Sequence, residues 1–535
     1  MANETWDRLV RLLGLPCLQY LTALDVGTSV DSQSPPEELT PEQSATLELL
    51  GEALPFDMVQ SVPDFATRFE IAWRLGAYVP EYGGSWAVAI RRASGGSIDP
   101  TESTDPVVAE LLQQLRDVYA LMLLPSSMPA FGPDLSAALY GHPSRLSFEE
   151  SVQADEDLAR LFPHETASAG RSGSYIGPNR GGGIQLWGLP GQLLRVALDW
   201  ARLDSPTPRL GEVSERLTLV VDLVRHVARG ETVAIPARIA LTGVRLPDEI
   251  TGFDIGRSHL RKRDDRDAWL TDFTGTAGKL TTTTPDGQTV EIDYGGDVVI
   301  ETTMDYRIHL GELETSDWPK ELSALRQSLD HTIEAIRLAL ALTPSSDEPI
   351  LVLPSWVVTM DPLGHGPNIG WQNTQRNSKL IPRQLTSTQV EQWRSWSERL
   401  IASKMSNIEI AVRRVLLAVG ERQMPEDVLI DSIMAWENLF GAHQETMFRV
   451  CGSLAWLLTN DVGERKTLMK ELKDIYGLRS RVVHGSASLK PSDSTAPQRA
   501  LEIAMDALRV IFKDRADLLN EPDGSARSNR VLLGD

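Results

Sequence analysis

The chain has 535 residues, 41% apolar and 24% charged, which is more than one hydrophobic core holds, so about two to four domains are expected. Its net charge of −22 argues against broad, tight affinity for nucleic acid, because phosphate neutralisation drives much of such binding. Cysteine occurs only at Cys17 and Cys451, which excludes a disulfide framework or zinc-type cluster, and no run approaches the roughly 18 apolar residues that span a membrane.

Residues 1–165 read as mainly helical, with segments at Glu4–Leu13, Pro41–Ala53, Phe65–Leu75 and Pro106–Leu124. In the last, Val107, Val108, Leu111, Leu112, Leu115 and Val118 recur with the period of one helix face. Pro and Ser punctuate the region at Ser32–Pro36 and Pro125–Pro133. Residues 166–184 are rich in Gly and Ser but lack the Gly-Lys-Ser/Thr ending of a phosphate loop, so a linker or surface loop is expected.

Residues 185–360 read as a mixed, strand-containing domain with a possible sensor role. Helices near Leu193–Leu203 and Glu212–Arg229 precede a strand-rich stretch around Ile239–Pro247. Leu280–Thr284 and Thr289–Tyr294 flank a Pro-Asp-Gly-Gln turn, which predicts a hairpin, and Val298–Thr303 and Tyr306–Leu310 extend it. Arg257, Arg261, Lys262, Arg263 and Arg266 are interleaved with Asp264, Asp265 and Asp267, which predicts a mixed surface rather than a nucleic-acid footprint. Asp317-Trp318-Pro319 opens a helix with an apolar stripe from Leu322 to Leu340, and a strand follows at Ile350–Val358. Residues 361–384, which include His365 between two glycines, read as a linker.

Residues 385–520 then read as a helical bundle, with helices near Ser387–Ser403, Asn407–Val419, Pro425–Phe440, Gln444–Leu458, Glu464–Val483 and Pro497–Leu518, and residues 521–535 as a flexible tail. Trp393, Trp396, Trp436 and Trp456 are expected to fill core and interfaces. Between Glu391 and Asp517 there are 18 Lys or Arg and 18 Asp or Glu, so the acidity lies upstream. Arg413, Arg414, Arg449, Arg479 and Arg481 are candidates for a local basic cleft.

The bundle holds Ile475-Tyr-Gly-Leu-Arg-Ser-Arg-Val-Val-His-Gly485. Arg479 and His484 are five residues apart, about 500° of helical rotation, so they meet best where the helix loosens at Val482–Gly485. A permanently charged guanidinium beside an imidazole that titrates near neutrality suits phosphodiester chemistry: histidine takes a ribose 2′-hydroxyl proton while arginine steadies phosphate charge. The same residues in a last turn also serve ordinary helix capping.

The stretch from Ile430 to Gly485 resembles the Apea-like HEPN family. The resemblance rests on Ile430-Asp-Ser-Ile-Met-Ala-Trp-Glu-Asn-Leu-Phe440, Met447–Leu458, Leu468–Tyr476 and the Tyr-x2-Arg-Ser-(x)3-His-Gly run that closes at Gly485. It covers at most a quarter of the chain. It implies a helical bundle that pairs as a homodimer and a metal-independent endoribonuclease, often tied to toxin or anti-phage systems. By position, Arg479 and His484 are the implied catalytic pair, and Glu437 is the implied inward acid that orients Arg479. Tyr476 and Ser480 support them, Ser480 standing where many members carry Asn, Asp or His. Arg481 and Arg449 are candidate RNA-binding residues.

The expected class is thus a multidomain α+β chain whose C-terminal helical bundle cleaves RNA without metal or other cofactor, restrained by the upstream regions and released by a phage-derived or cellular trigger. The alternative is a non-catalytic bundle that dimerises or binds nucleotide or a partner. With no basic segment followed by an apolar core at Met1–Trp6, a cytoplasmic setting is expected.

Overall fold

The computed structural model describes residues 2–24, 36, 38–54, 65–98, 102–125, 135–166, 170–274, 276, 278–283, 287, 289–311, 319–344, 349–371, 380–484 and 489–534. Several sequence signals lie outside these residues: most of the punctuation at 32–36 and 125–133, Asp317-Trp318, the Pro285-Asp286 turn, 373–377 and Gly485.

The first region is helical, as its periodicity predicts: α1 Ala2–Leu13, α2 Leu15–Leu21, α3 Pro41–Ala53 and α4 Phe65–Gly76, then a short β1 Tyr78–Val79 and β2 Gly84–Ser85, then α5 Trp86–Ala93, α6 Pro106–Met122, α7 Ser136–Tyr140 and α8 Arg145–Ala154. Helix α6 organises it. Asp105 caps it by accepting from the Val107 and Val108 amides, with Pro106 in the first turn, where its missing N–H costs nothing. Its Val107, Val108, Leu111, Leu115 and Val118 are buried in the core.

Three strands follow, β3 His164–Thr166, β4 Gly170–Ile176 and β5 Gly181–Gln185. They replace the expected Gly/Ser linker at 166–184. β4 pairs antiparallel with both β3 and β5. The glycines permit close approach: a Cβ on Gly173 would stand 1.9 Å from the Leu161 carbonyl oxygen. The hairpin is then tied to distant chain. Asn179 donates to Thr359 Oγ1 at 3.0 Å, Arg180 Nε to Asp361 at 3.1 Å and the Tyr175 hydroxyl to the Leu363 carbonyl at 2.9 Å.

The middle region holds α9 Leu189–Arg202, α10 Leu210–Ala228, β6 Val233–Thr242, β7 Val244–Arg245, β8 Gly252–Ile255, β9 Ser258–Lys262, α11 Ala268–Thr274, β10 Lys279–Thr283, β11 Thr289–Asp293, β12 Val298–Tyr306, β13 His309–Leu310, α12 Lys320–Leu342, β14 Leu353–Thr359, β15 Asn368–Trp371 and β16 Arg383–Gln384. A six-stranded antiparallel sheet runs β15-β14-β6-β12-β9-β8, with Ile300 opposite both Ile239 and Leu260. The predicted hairpin is present as β10–β11, with Thr281 opposite Glu291, but it is not extended as expected: β12 pairs with β6 and β9, and β13 with β4. The expected linker at 361–384 is partly structured: β15 pairs with β14, and β16 lies parallel to β7.

The last region consists of α13 Ser387–Ile401, α14 Glu409–Leu416, α15 Pro425–Phe440, α16 Thr446–Leu458, α17 Val462–Val483, α18 Ala496–Lys513 and α19 Gly524–Leu533, with a π-turn at Leu417–Glu421. Trp393 and Trp436 are buried, and their indole N–H groups donate to the carbonyls of Ile336 and Ala500. Trp456, expected to be filler, is 49% exposed.

The expected flexible tail is helix α19. Asp523 caps it at the Ala526 amide, and Arg527 is fully buried, donating to the carbonyls of Leu439, Asn438 and Glu521. A buried guanidinium whose donors meet several carbonyls is satisfied without a carboxylate, and it locks α19 to the end of α15. Among the described residues most buried apolar side chains form one cluster that runs from Trp6 to Leu519, and Ile292, Tyr294, Leu353 and Leu380 form a second, small one. The chain is thus a mixed α and β molecule with a C-terminal helical region.

Candidate functional site

Helix α17 begins at Asp461, whose carboxylate accepts from the Glu464 amide, and Leu472, Ile475 and Leu478 bury one face of it. Tyr476 and Arg479, three residues apart, flank that face and reach the same residue on α15. The Tyr476 hydroxyl donates to Glu437 Oε1 at 2.5 Å, and Arg479 Nη2 lies 3.6 Å from Glu437 Oε2. Burial, and then the hydrogen bond to the Glu437 carboxylate, hold the Tyr476 phenol protonated well above its ordinary range.

The guanidinium of Arg479 is half-buried and incompletely used. At 3.6 Å its contact with Glu437 is an ion pair longer than a hydrogen bond, and its Nε is buried without a hydrogen-bond partner among the described residues. Glu437 thus fixes the direction of a guanidinium whose hydrogen-bonding capacity is not filled by the protein, although the Nε itself is closed to solvent.

His484 stands at the C-cap of α17 and is exposed. The helix does not loosen at Val482, which is the condition under which Arg479 and His484 would meet best. It stays helical through Val483, and the His484 amide donates to the Ser480 carbonyl at 3.2 Å. On this regular helix Arg479 and His484 are separated by about 140° in azimuth and about 7.5 Å along the axis. Arg479 turns toward α15 and His484 toward solvent. Ser480 is half-buried on the solvent side.

Most of the expected basic cleft is occupied internally. Arg413 pairs with Glu409 at 2.7 Å, and Arg414 and Arg422 share Asp431 at 2.7 and 2.6 Å. Arg449 donates to Asn529 on α19 at 2.6 Å, so it braces α16 against α19. The helix that the sequence does not reveal is the one that engages it. Arg481 is exposed. His365 is exposed in a turn and lies outside this cluster. The interleaved charges of the middle region are paired as expected: Arg261 holds Asp267 at 2.7 Å and Glu301 at 2.6 Å, and Arg266 holds Asp264 at 2.7 Å.

Sequence reasoning passed over one feature of α17. Lys466, Lys470 and Lys473 recur at intervals of four and three residues and are all exposed. That spacing is the signal of a single helix face and was available in the sequence.

Among the described residues no group of three or more His, Cys, Asp or Glu side chains is arranged to hold a metal ion, and no helix is long and apolar enough to cross a membrane. No protein-family model, curated protein or solved structure matches the chain.

Proposed function

We propose that residues 385–520, together with α19, form a HEPN-type bundle that works as a metal-independent endoribonuclease, with the upstream regions restraining it until a phage-derived or cellular trigger acts. The observation that carries this reading is the Glu437-oriented guanidinium of Arg479, with an unused buried Nε, on the helix that presents an exposed His484. In this reading Arg479 binds the scissile phosphate and stabilises its developing charge. An imidazole accepts the ribose 2′-hydroxyl proton, O2′ bonds to phosphorus, the P–O5′ bond breaks, and the departing O5′ takes a proton from an imidazolium. The products are a 2′,3′-cyclic phosphate and a 5′-hydroxyl.

The azimuths bear on assembly. Two groups about 140° apart on one helix address one phosphate more readily if each site draws Arg479 from one copy and His484 from another, as a two-fold dimer provides. A toxin or anti-phage effector is the biological setting this reading favours.

The test is cleavage of a synthetic single-stranded RNA by the full chain in a chelator. The account expects cyclic-phosphate ends, and His484→Ala should slow cleavage about 10²–10⁴-fold with an unchanged melting transition. Equal cleavage by His484→Ala removes the assignment. A second reading, a bundle that dimerises or binds a partner without chemistry, is favoured by the existing Arg479–Glu437 pair and the exposed Met447 and Val483. It predicts no cleavage by wild type.

A further inference from the structure

The outward face of α17 carries a row of cations that the cleavage chemistry does not use. On a regular helix Lys470 and Lys473 fall within about 40° of the azimuth of Lys466, and His484, eighteen residues on from Lys466, returns to that azimuth after about five turns. Arg481 fills the interval: its Nη1 lies 3.8 Å from where a Cβ on Gly477 would stand, so the guanidinium lies over that glycine, between Lys473 and His484. The row is about 27 Å long and ends at the imidazole.

The charge of its three lysines is not cancelled by an ion pair. Among the described residues no carboxylate comes within ion-pair distance of Lys466, Lys470 or Lys473. The acids of α17 are mostly engaged elsewhere: Glu471 turns to Arg499 of α18 at 2.8 Å, and Glu464 accepts from the Thr459 hydroxyl at 2.8 Å. Asp474 is the acid left exposed beside the row. Helix α17 thus carries six basic side chains, more than its acidic ones, in a chain of net charge −22. A chain this acidic repels polyanions, so three lysines without ion pairs on one face are where one would dock.

Aromatic rings flank the row. Phe448 and Trp456 of α16 are 54% and 49% exposed, unusual for residues of their size. Lys473 Nζ lies 5.9 Å from the Phe448 ring centre, and the Arg465 guanidinium carbon lies 3.7 Å from that of Trp456. A line of cations beside half-exposed rings is the arrangement that holds a single strand, the cations tracking phosphates and the rings stacking bases without sequence preference. A membrane surface is matched less well, because the large apolar residues exposed on α17, Val462 and Val483, stand at its two ends and form no continuous apolar side of the kind that burial in lipid needs.

The geometry points to the α16–α17 face as a track for single-stranded nucleic acid, leading the strand along Lys466, Lys470 and Lys473 to His484. This deepens the endoribonuclease reading and takes its direction from it, since His484 marks the reacting end. The track itself concerns binding and is testable without chemistry.

The experiment uses the full chain and a fluorescent 2′-O-methyl oligouridine 12-mer, which has no 2′-hydroxyl to attack and cannot be cleaved. Wild type should bind it in anisotropy, and the triple variant Lys466→Gln/Lys470→Gln/Lys473→Gln should bind at least about tenfold more weakly. The slope of log affinity against log salt should flatten by about 2, at about 0.7 for each phosphate no longer neutralised. Phe448→Ala should weaken binding about tenfold. No binding by wild type, or equal binding by wild type and the triple variant, overturns the track. So does loss of binding to phosphatidylserine vesicles in the triple variant with oligomer binding unaltered. Retained, lysine-dependent binding with no cleavage of ordinary RNA supports the track and defeats the endoribonuclease reading. Cleavage indifferent to the three lysines defeats the track alone.

Discussion

Arg257, Arg261, Lys262, Arg263 and Arg266 crowd the region around β9, and each meets a carboxylate: Asp305, Asp267, Asp248, Asp293 and Asp264 respectively. Lys466, Lys470 and Lys473 on α17 meet none among the described residues. The two regions contain similar runs of basic residues and use them differently. In the first, acids fall in the same loop and on the neighbouring strand, so the cations fasten the fold. In the second, a four-then-three spacing collects the lysines on one face while Glu471 turns to another helix. What separates a structural cation from a presented one is the register of its acidic neighbours, not the number of charges. Arg479 lies between these extremes, paired with Glu437 at 3.6 Å yet with an Nε that no described residue bonds.

The largest effect should come from a paired cation. Arg261 and Asp267 are both buried, and Arg261→Ala strands the carboxylate, so the stability of the full chain in denaturant should fall by about 3–5 kcal/mol. Lys470→Gln should change it by less than about 0.5 kcal/mol. Comparable losses from the two would erase the distinction between the regions. Glu437→Gln probes the intermediate case. The amide still accepts from Tyr476 but no longer fixes the guanidinium by charge, so the cleavage rate should fall roughly tenfold with little change in folding. An unchanged rate would place Arg479 among the merely structural cations.

The smallest effect concerns pH and helix α19. Arg515 and then Arg530 hold Asp517 down to about 2. A carboxylate whose folded value lies below its unfolded value of about 3.9 stabilises at pH above that unfolded value. That contribution is lost as pH falls toward 2. Between about pH 4 and 2, the protection of α19 amides relative to their intrinsic exchange should fall modestly, and Asp517→Asn should lack this step. Its persistence in the variant would assign it to other carboxylates.

Much of this architecture is legible locally. Pro425 and Gly441 bracket α15 at the residues expected, and the alternation of Thr289–Tyr294 marks its strand. What escapes depends on contacts distant in sequence. The Gly/Ser stretch reads as a linker until Leu161 and Asp361 are brought to it, and the 521–535 segment reads as a tail until carbonyls at Asn438 and Leu439 receive Arg527. Arg449 misleads for the same reason, because Asn529 lies in that segment. At the site, the approach of Glu437 to Arg479 is expected from sequence, whereas the unbroken helix that turns His484 away from Arg479 is not.

That divergence makes one measurement decisive. Arg479→Ala and His484→Ala chains, each inactive alone, should be co-refolded or co-expressed and assayed on RNA as a mixture. If each site joins Arg479 of one copy to His484 of its partner, random pairing makes half of the dimers mixed, each with one intact site, and about a quarter of wild-type cleavage should return. Mixed dimers that form yet recover no cleavage would contradict a site shared in this way.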